Sequence, residues 1–153
     1  MKAWIGIDPG KKGYACLLSY DDVQFLNWCD DKEHMMEVLY AWNTTYSIEG
    51  VVIEKVGSMP GQGVKSMFTF GENFGWWQGA MTVLTGVNPF FVTPRKWQMA
   101  VLDDGSDDIK IKSVRVANSI GNLGLKLTKN GKDNGKADAY HLARYSKEVF
   151  SKV

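Results

Sequence analysis

Trp4-Ile5-Gly6-Ile7-Asp8-Pro9-Gly10-Lys11-Lys12-Gly13, running into Tyr14-Ala15-Cys16-Leu17-Leu18, decides the fold. Ile5 and Ile7 alternate with Gly6, the spacing of a short buried strand, and the strand ends on a carboxylate. Pro9-Gly10 is turn chemistry, since Pro presets φ and Gly accepts positive φ without steric cost. Gly13 restarts an apolar run, so the two strands are expected to form a hairpin. Asp8 therefore sits at the end of a central strand. A bare carboxylate there is costly and wants a cation or several donors. Alternatively it caps its own turn, a common role for Asp. A second carboxylate brought to the same place would decide between the two.

The chain has 153 residues, enough for one domain (1–153) around one core. Its 44% apolar content, with six Trp, seven Phe and six Tyr, excludes a disordered chain. No apolar run reaches the ~20 residues of a membrane span, and the N-terminus lacks a signal-peptide pattern. No membrane association and no small-molecule cofactor is expected. Cys16 and Cys29 show no metal-ligand spacing, which suits a reducing cytoplasm. Net charge is only +1, but it is unevenly placed. Residues 1–94 carry six Lys/Arg against ten Asp/Glu, and residues 95–153 carry twelve against seven. The basic C-terminal part suits a polyanion or a solvated face.

Val23–Trp28 reads as a third strand, and Asp30-Asp31-Lys32-Glu33 as an acidic helix start. Met35, Met36, Leu39, Tyr40 and Trp42 recur at helical spacing, predicting an amphipathic helix over about 33–46, with His34 on its surface. Gly50-Val51-Val52-Ile53-Glu54-Lys55-Val56 reads as a strand covered on both faces. Strand, helix, strand implies a right-handed crossover onto the first sheet. Glu54 breaks a buried-type run near its strand end, as Asp8 does, and is the second carboxylate. A glycine-rich loop, 57–63, follows, in which Gln62 and then Lys65 are placed to meet a phosphate backbone. A helix over about 65–85 repeats Gly71, Gly75 and Gly79 on one stripe, a pattern expected for close helix-on-sheet packing. Phe90–Thr93 reads as a strand, and Thr93-Pro94 opens a short helix. Asp103–Asp108 reads as an exposed turn ending in a cap, without the terminal Glu a calcium loop needs. The next helix, from Ile109, carries Lys110, Lys112 and Arg115. Lys126, Lys129, Lys132 and Lys136 form a basic segment before and into the last helix. There Ala139, Leu142, Ala143, Ser146, Val149 and Phe150 trace a core stripe, and Asp138 in the first turn becomes the third acid. Three carboxylates without a His or Cys cluster ask for a hard divalent cation, Mg²⁺ or Mn²⁺. Such clusters hold two ions for in-line phosphoryl displacement.

The order Gly6-Ile7-Asp8-Pro9-Gly10, Val52-Ile53-Glu54-Lys55, then Lys136-Ala137-Asp138-Ala139 resembles the RuvC-like Holliday junction resolvases of bacteria and phages, within the RNase H-like superfamily. Met59-Pro60-Gly61-Gln62-Gly63, Phe74-Gly75 and Thr93-Pro94-Arg95-Lys96-Trp97-Gln98 are similar to the phage branch. The resemblance implies an α/β, RNase H-like fold: a mixed five-stranded sheet, antiparallel hairpin strands plus parallel strands, flanked by helices. It implies a homodimer in the bacterial or phage-infected cytoplasm that nicks paired strands of four-way junctions or other branched DNA. The implied cofactor is two Mg²⁺ ions per site, with Mn²⁺ substituting. Asp8, Glu54 and Asp138 match the family's metal-binding acids. The usual fourth ligand, one helical turn before the last acid, is replaced by Gly135, with Asp133 as the nearest substitute. Lys96 and Lys112-Ser113 resemble basic residues placed near the scissile phosphate, Lys112 among the catalytic set. Lys12, Gln62, Lys65, Arg95, Lys96, Lys110, Lys112, Lys132 and Lys136 form the expected DNA-contacting set. Met59 or Phe68 is the expected wedge, core packing being the alternative for Phe68.

Three rival readings compete. A sugar-kinase or actin-like ATPase uses a similar Asp-x-Gly turn but needs two such domains around its nucleotide. Another nuclease on the same fold, an RNase H or a flap and branch-cutting enzyme, would share the acids and differ in substrate. A catalytically inactive binding module gives no packing reason for retaining three acids.

Overall fold

A computed structural model of the chain describes residues 1–10, 13–55, 61, 63–102, 108–127 and 133–151. The opening stretch forms β1 (Lys2–Asp8) and β2 (Tyr14–Ser19), paired antiparallel with Asp8 opposite Tyr14. The turn closes through Gly13 N–H to Gly10 C=O at 2.8 Å, with Gly13 at φ +27°, a conformation side chains resist. β3 (Val23–Asn27) extends the meander. α1 (Lys32–Thr45) starts where the Asp31 carboxylate accepts the His34 N–H at 3.0 Å. Met35, Leu39 and Trp42 are its buried face, whereas Tyr40, expected on that face, is exposed.

The crossover returns through β4 (Ser47–Glu54), which begins three residues earlier than its apolar run suggests and lies parallel to β1. α2 (Val64–Thr85) leads to β5 (Phe90–Val92), parallel to β4 on the other side. The sheet order β3-β2-β1-β4-β5 is the mixed five-stranded sheet expected. α1 and α2 cover one face, where Met35, Leu39, Trp42, Trp77 and Met81 meet Ile5, Ile7, Leu17, Val51 and Ile53. α3 (Pro94–Val101), α4 (Ile109–Gly121) and α5 (Asn134–Phe150) cover the other.

The glycine stripe of α2 does not pack on the sheet. Gly71, Gly75 and Gly79 are exposed and nothing lies within 4 Å of where their Cβ atoms would be. Four-residue spacing places them together on a helix face, but burial is won by the bulkier face carrying Trp77, Ala80 and Met81. The close approach occurs instead at Gly6. A Cβ there would fall on the main-chain N of Ala143 and C of Leu142, and lie 2.5 Å from the carbonyl oxygen of Ala139. α5 thus rests on the backbone of β1. Its buried face is broader than the expected stripe, including Tyr140, His141 and Tyr145, while Val149 and Phe150 are half-buried.

Gly6→Ala is therefore expected to cost about 3 kcal/mol, because the obstructing atoms are backbone and cannot rotate away. Urea unfolding checks this; a loss below ~1 kcal/mol would show that α5 can lift from β1.

Candidate active site

The parallel register matches Gly6 with Val52 and Ile7 with Ile53, so Asp8 and Glu54 end neighbouring strands side by side. Asp138 comes from α5 above them. With the helix beginning at Asn134, Asp138 stands in the second turn rather than the first. The helix dipole, which acts within the first turn, does not account for it. Asp8 also caps its own turn, accepting the Gly10 N–H on Oδ1 at 3.1 Å. Turn and site use the same side chain.

Burial raises the pKa of all three acids, and the charge of Asp8 adds to the rise of the other two. Burial pushes Asp8 up, opposed by the Gly10 amide. Glu54, 8% exposed, rises to about 7 through burial first and the charge of Asp8 second. Asp138 is pushed well above the carboxylate range by burial, then by Asp8 and Glu54, while the Ser113 hydrogen bond and, less, Lys110 pull it down. One oxygen of two of these acids is fixed by a neutral donor. The Trp97 indole N–H meets Glu54 Oε2 at 2.6 Å, and the Ser113 hydroxyl meets Asp138 Oδ1 at 2.6 Å. Among the described residues, no three His, Cys, Asp or Glu side chains stand close enough together to hold a metal ion as they are placed. The chemistry of the donors, carboxylate oxygens alone, is nevertheless that of a Mg²⁺ or Mn²⁺ site, and a shared cation would relieve the repulsion among them.

The other expected residues are dispersed. Asp133 caps α5 and accepts the Lys126 N–H on Oδ2 at 2.6 Å. Gly135 faces the Tyr14 ring, whose Cδ2 would lie 2.5 Å from a Cβ at this position. That ring fills the space where a fourth ligand would begin. Lys112 is 7% exposed on α4, so it is no open surface charge. Lys110, exposed near the start of α4, is the lysine whose charge acts on Asp138. Lys65, Arg95 and Lys96 are exposed, and Lys136 is half-buried over the Phe25 ring. Lys12, Met59, Gln62, Lys129, Lys132 and residues 103–107 lie outside the described residues. Trp97 and Ser113 stand in quoted motifs, yet no spacing rule links them to acids 43 and 25 residues away.

The raised acids set a pH dependence of sign opposite to that of ordinary carboxylates. Between pH 4.5 and about 7 the folded chain keeps a proton on Glu54 that the unfolded chain has released. Stability of the metal-free protein is expected to fall through that window, by on the order of 3 kcal/mol from this group. Glu54→Gln should flatten the slope. Urea unfolding in chelator across this range tests it, and stability rising with pH would refute the assignment.

No protein-family model matches the chain, and no curated protein sequence does. Solved structures do. RuvC of Thermus thermophilus in complex with Holliday junction substrate superposes with TM-score 0.65 at 15% identity, over 92% of this chain and 90% of that one. Thermus thermophilus RuvC in a second structure gives TM-score 0.62 at 14% identity, over 97% of both chains. Sheet order, the flanking helices and these superpositions together give the chain the RuvC-like, RNase H-like fold.

Proposed function

We propose that this chain is a divalent-metal-dependent endodeoxyribonuclease that resolves Holliday junctions or other branched DNA by paired nicks. The observation that carries the proposal is the meeting of Asp8, Glu54 and Asp138 at one end of the β1–β4 pair, with the charges of Asp8 and Glu54 felt at Asp138. The fold shared with a RuvC bound to its junction supports the substrate class. In this reading the chain acts as one nuclease domain in the bacterial or phage-infected cytoplasm. None of its helices, among the described residues, is long and apolar enough to cross a membrane.

Asp8, Glu54 and Asp138 would hold two Mg²⁺ ions, with Asp133, whose Oδ2 accepts the Lys126 N–H, as the candidate fourth ligand. When bound, the ions supply stabilisation of the attacking and leaving oxygens of the phosphodiester. Trp97 and Ser113 orient one oxygen each of Glu54 and Asp138 and leave the carboxylate charge intact for the cation. Lys65, Arg95, Lys96 and Lys110 offer exposed positive charge to phosphates. Phe68 is 68% exposed near the start of α2, which removes core packing as its role and leaves it fit to wedge apart bases. Paired nicks call for two sites. The open Gly71, Gly75, Gly79 face of α2, flanked by exposed Val64 and Val83, suits the same helix of a second copy.

Asp8→Asn is expected to lower cleavage at least ~10³-fold while leaving junction affinity nearly unchanged, because it removes a metal ligand and no phosphate contact. The assay compares labelled four-way junction, flap, linear duplex and RNA–DNA hybrid in Mg²⁺, Mn²⁺ and chelator. Cleavage of the hybrid alone would move the function to an RNase H, and undiminished cleavage by the mutant would overturn the site. Gly75→Glu meets open space and should leave the fold intact. It is expected to convert dimer to monomer in light scattering, with single rather than paired nicks; a persisting dimer would place the interface elsewhere.

A further inference from the structure

His141 is fully buried on α5, and the proposed chemistry does not use it. Its Nε2 lies 2.8 Å from the Ser113 carbonyl, an acceptor only, so Nε2 carries the proton. Nδ1 then accepts from Arg144 Nη1 at 3.0 Å. Arg144 Nη1 also donates to the carbonyl of Val101, the last residue of α3, at 3.2 Å. The imidazole stacks on the Trp97 indole, centroids 6.0 Å apart and planes 21° from parallel. The ring thereby touches both residues that donate to the acids. Ser113 is held through its carbonyl while its hydroxyl reaches Asp138, and Trp97 is held by its face while its N–H reaches Glu54. Arg144 fixes which nitrogen is protonated and ties α3 to the same point.

We infer that His141 is a positioning residue of the acid site: as a neutral Nε2–H imidazole it aligns Ser113 and Trp97 so that Asp138 and Glu54 present their second oxygens to the metal. The inference rests on the metal-site reading above. Burial drives the imidazole down to about 4, so the neutral form is held throughout the neutral pH range. A histidine that only filled space would need neither a specified tautomer nor contact with both donors. His141 meets both conditions.

Three variants separate the roles. His141→Phe keeps the ring against Trp97 and loses both hydrogen bonds. His141→Gln retains an amide donor for the Ser113 carbonyl. Ser113→Ala removes the last bond to Asp138. Mn²⁺ affinity by calorimetry, and kcat and KM on a labelled four-way junction, are the readouts. His141→Phe is expected to weaken Mn²⁺ binding and lower kcat by roughly 10- to 100-fold with KM unchanged. His141→Gln should recover most of that loss, and His141→Phe combined with Ser113→Ala should lose less than the product of the single effects. Mn²⁺ affinity and kcat within about twofold of the parent, with only the unfolding midpoint lowered, would overturn the inference, as would full multiplicativity. Asp8→Asn in the same calorimeter separates the two readings: unchanged Mn²⁺ binding there refutes the metal site, whereas loss there without loss in His141→Phe refutes only the positioning role. Should His141→Phe fail to fold, nitrogen-15 NMR of the parent protein still decides. An Nε2–H tautomer is required, and an Nδ1–H tautomer or an imidazolium would overturn the inference.

Discussion

The arrangement of the three acids depends on the backbone of α5 lying against the backbone of β1 at Gly6. With no Cβ between them, Ala139, Leu142 and Ala143 settle directly over the strand, and Asp138 arrives above its end. The same seating places His141 beside Ser113 and Trp97. A strand residue without a side chain therefore fixes where the third acid stands relative to the first two. Packing and chemistry share one constraint.

The donors seen on the acids are a backbone amide, an indole and a hydroxyl, all neutral. A guanidinium or ammonium in direct contact would lower the carboxylate pKa values more effectively, but it would also neutralise the charge a cation needs. Neutral donors set direction while leaving charge in place. Burial disfavours three anions together, a cost that a hard cation would relieve in the proposed reading.

Much of this was legible from residue order. Strands β1, β2 and β4 announce themselves because branched residues and turn formers are local signals, and Asp8 and Glu54 interrupt buried runs in a way no packing explains. Asp138 could be named from its motif, though its place in the second turn depended on the helix start at Asn134. The glycines of α2 show where such reading stops. Spacing puts them on one face, yet which face the sheet accepts is decided by competition with Trp77 and Met81. Burial of Lys112 and the Arg144–His141–Ser113 and Trp97 contacts were equally hidden. They join residues from three helices, and although Trp97 and Lys112-Ser113 stood in motifs, nothing in the sequence linked them to His141 or Arg144.

The contact between Tyr14 and Gly135 carries a consequence for any change at either position. Any side chain at 135 must share space with an aromatic ring from the first residue of β2, so the two positions do not vary independently. A side chain introduced at 135 is accommodated only if the Tyr14 ring swings aside or residue 14 becomes smaller, and the second change alone would leave a cavity at the sheet end. Helix turn and first strand residue are thus one packing unit, to be altered as a pair.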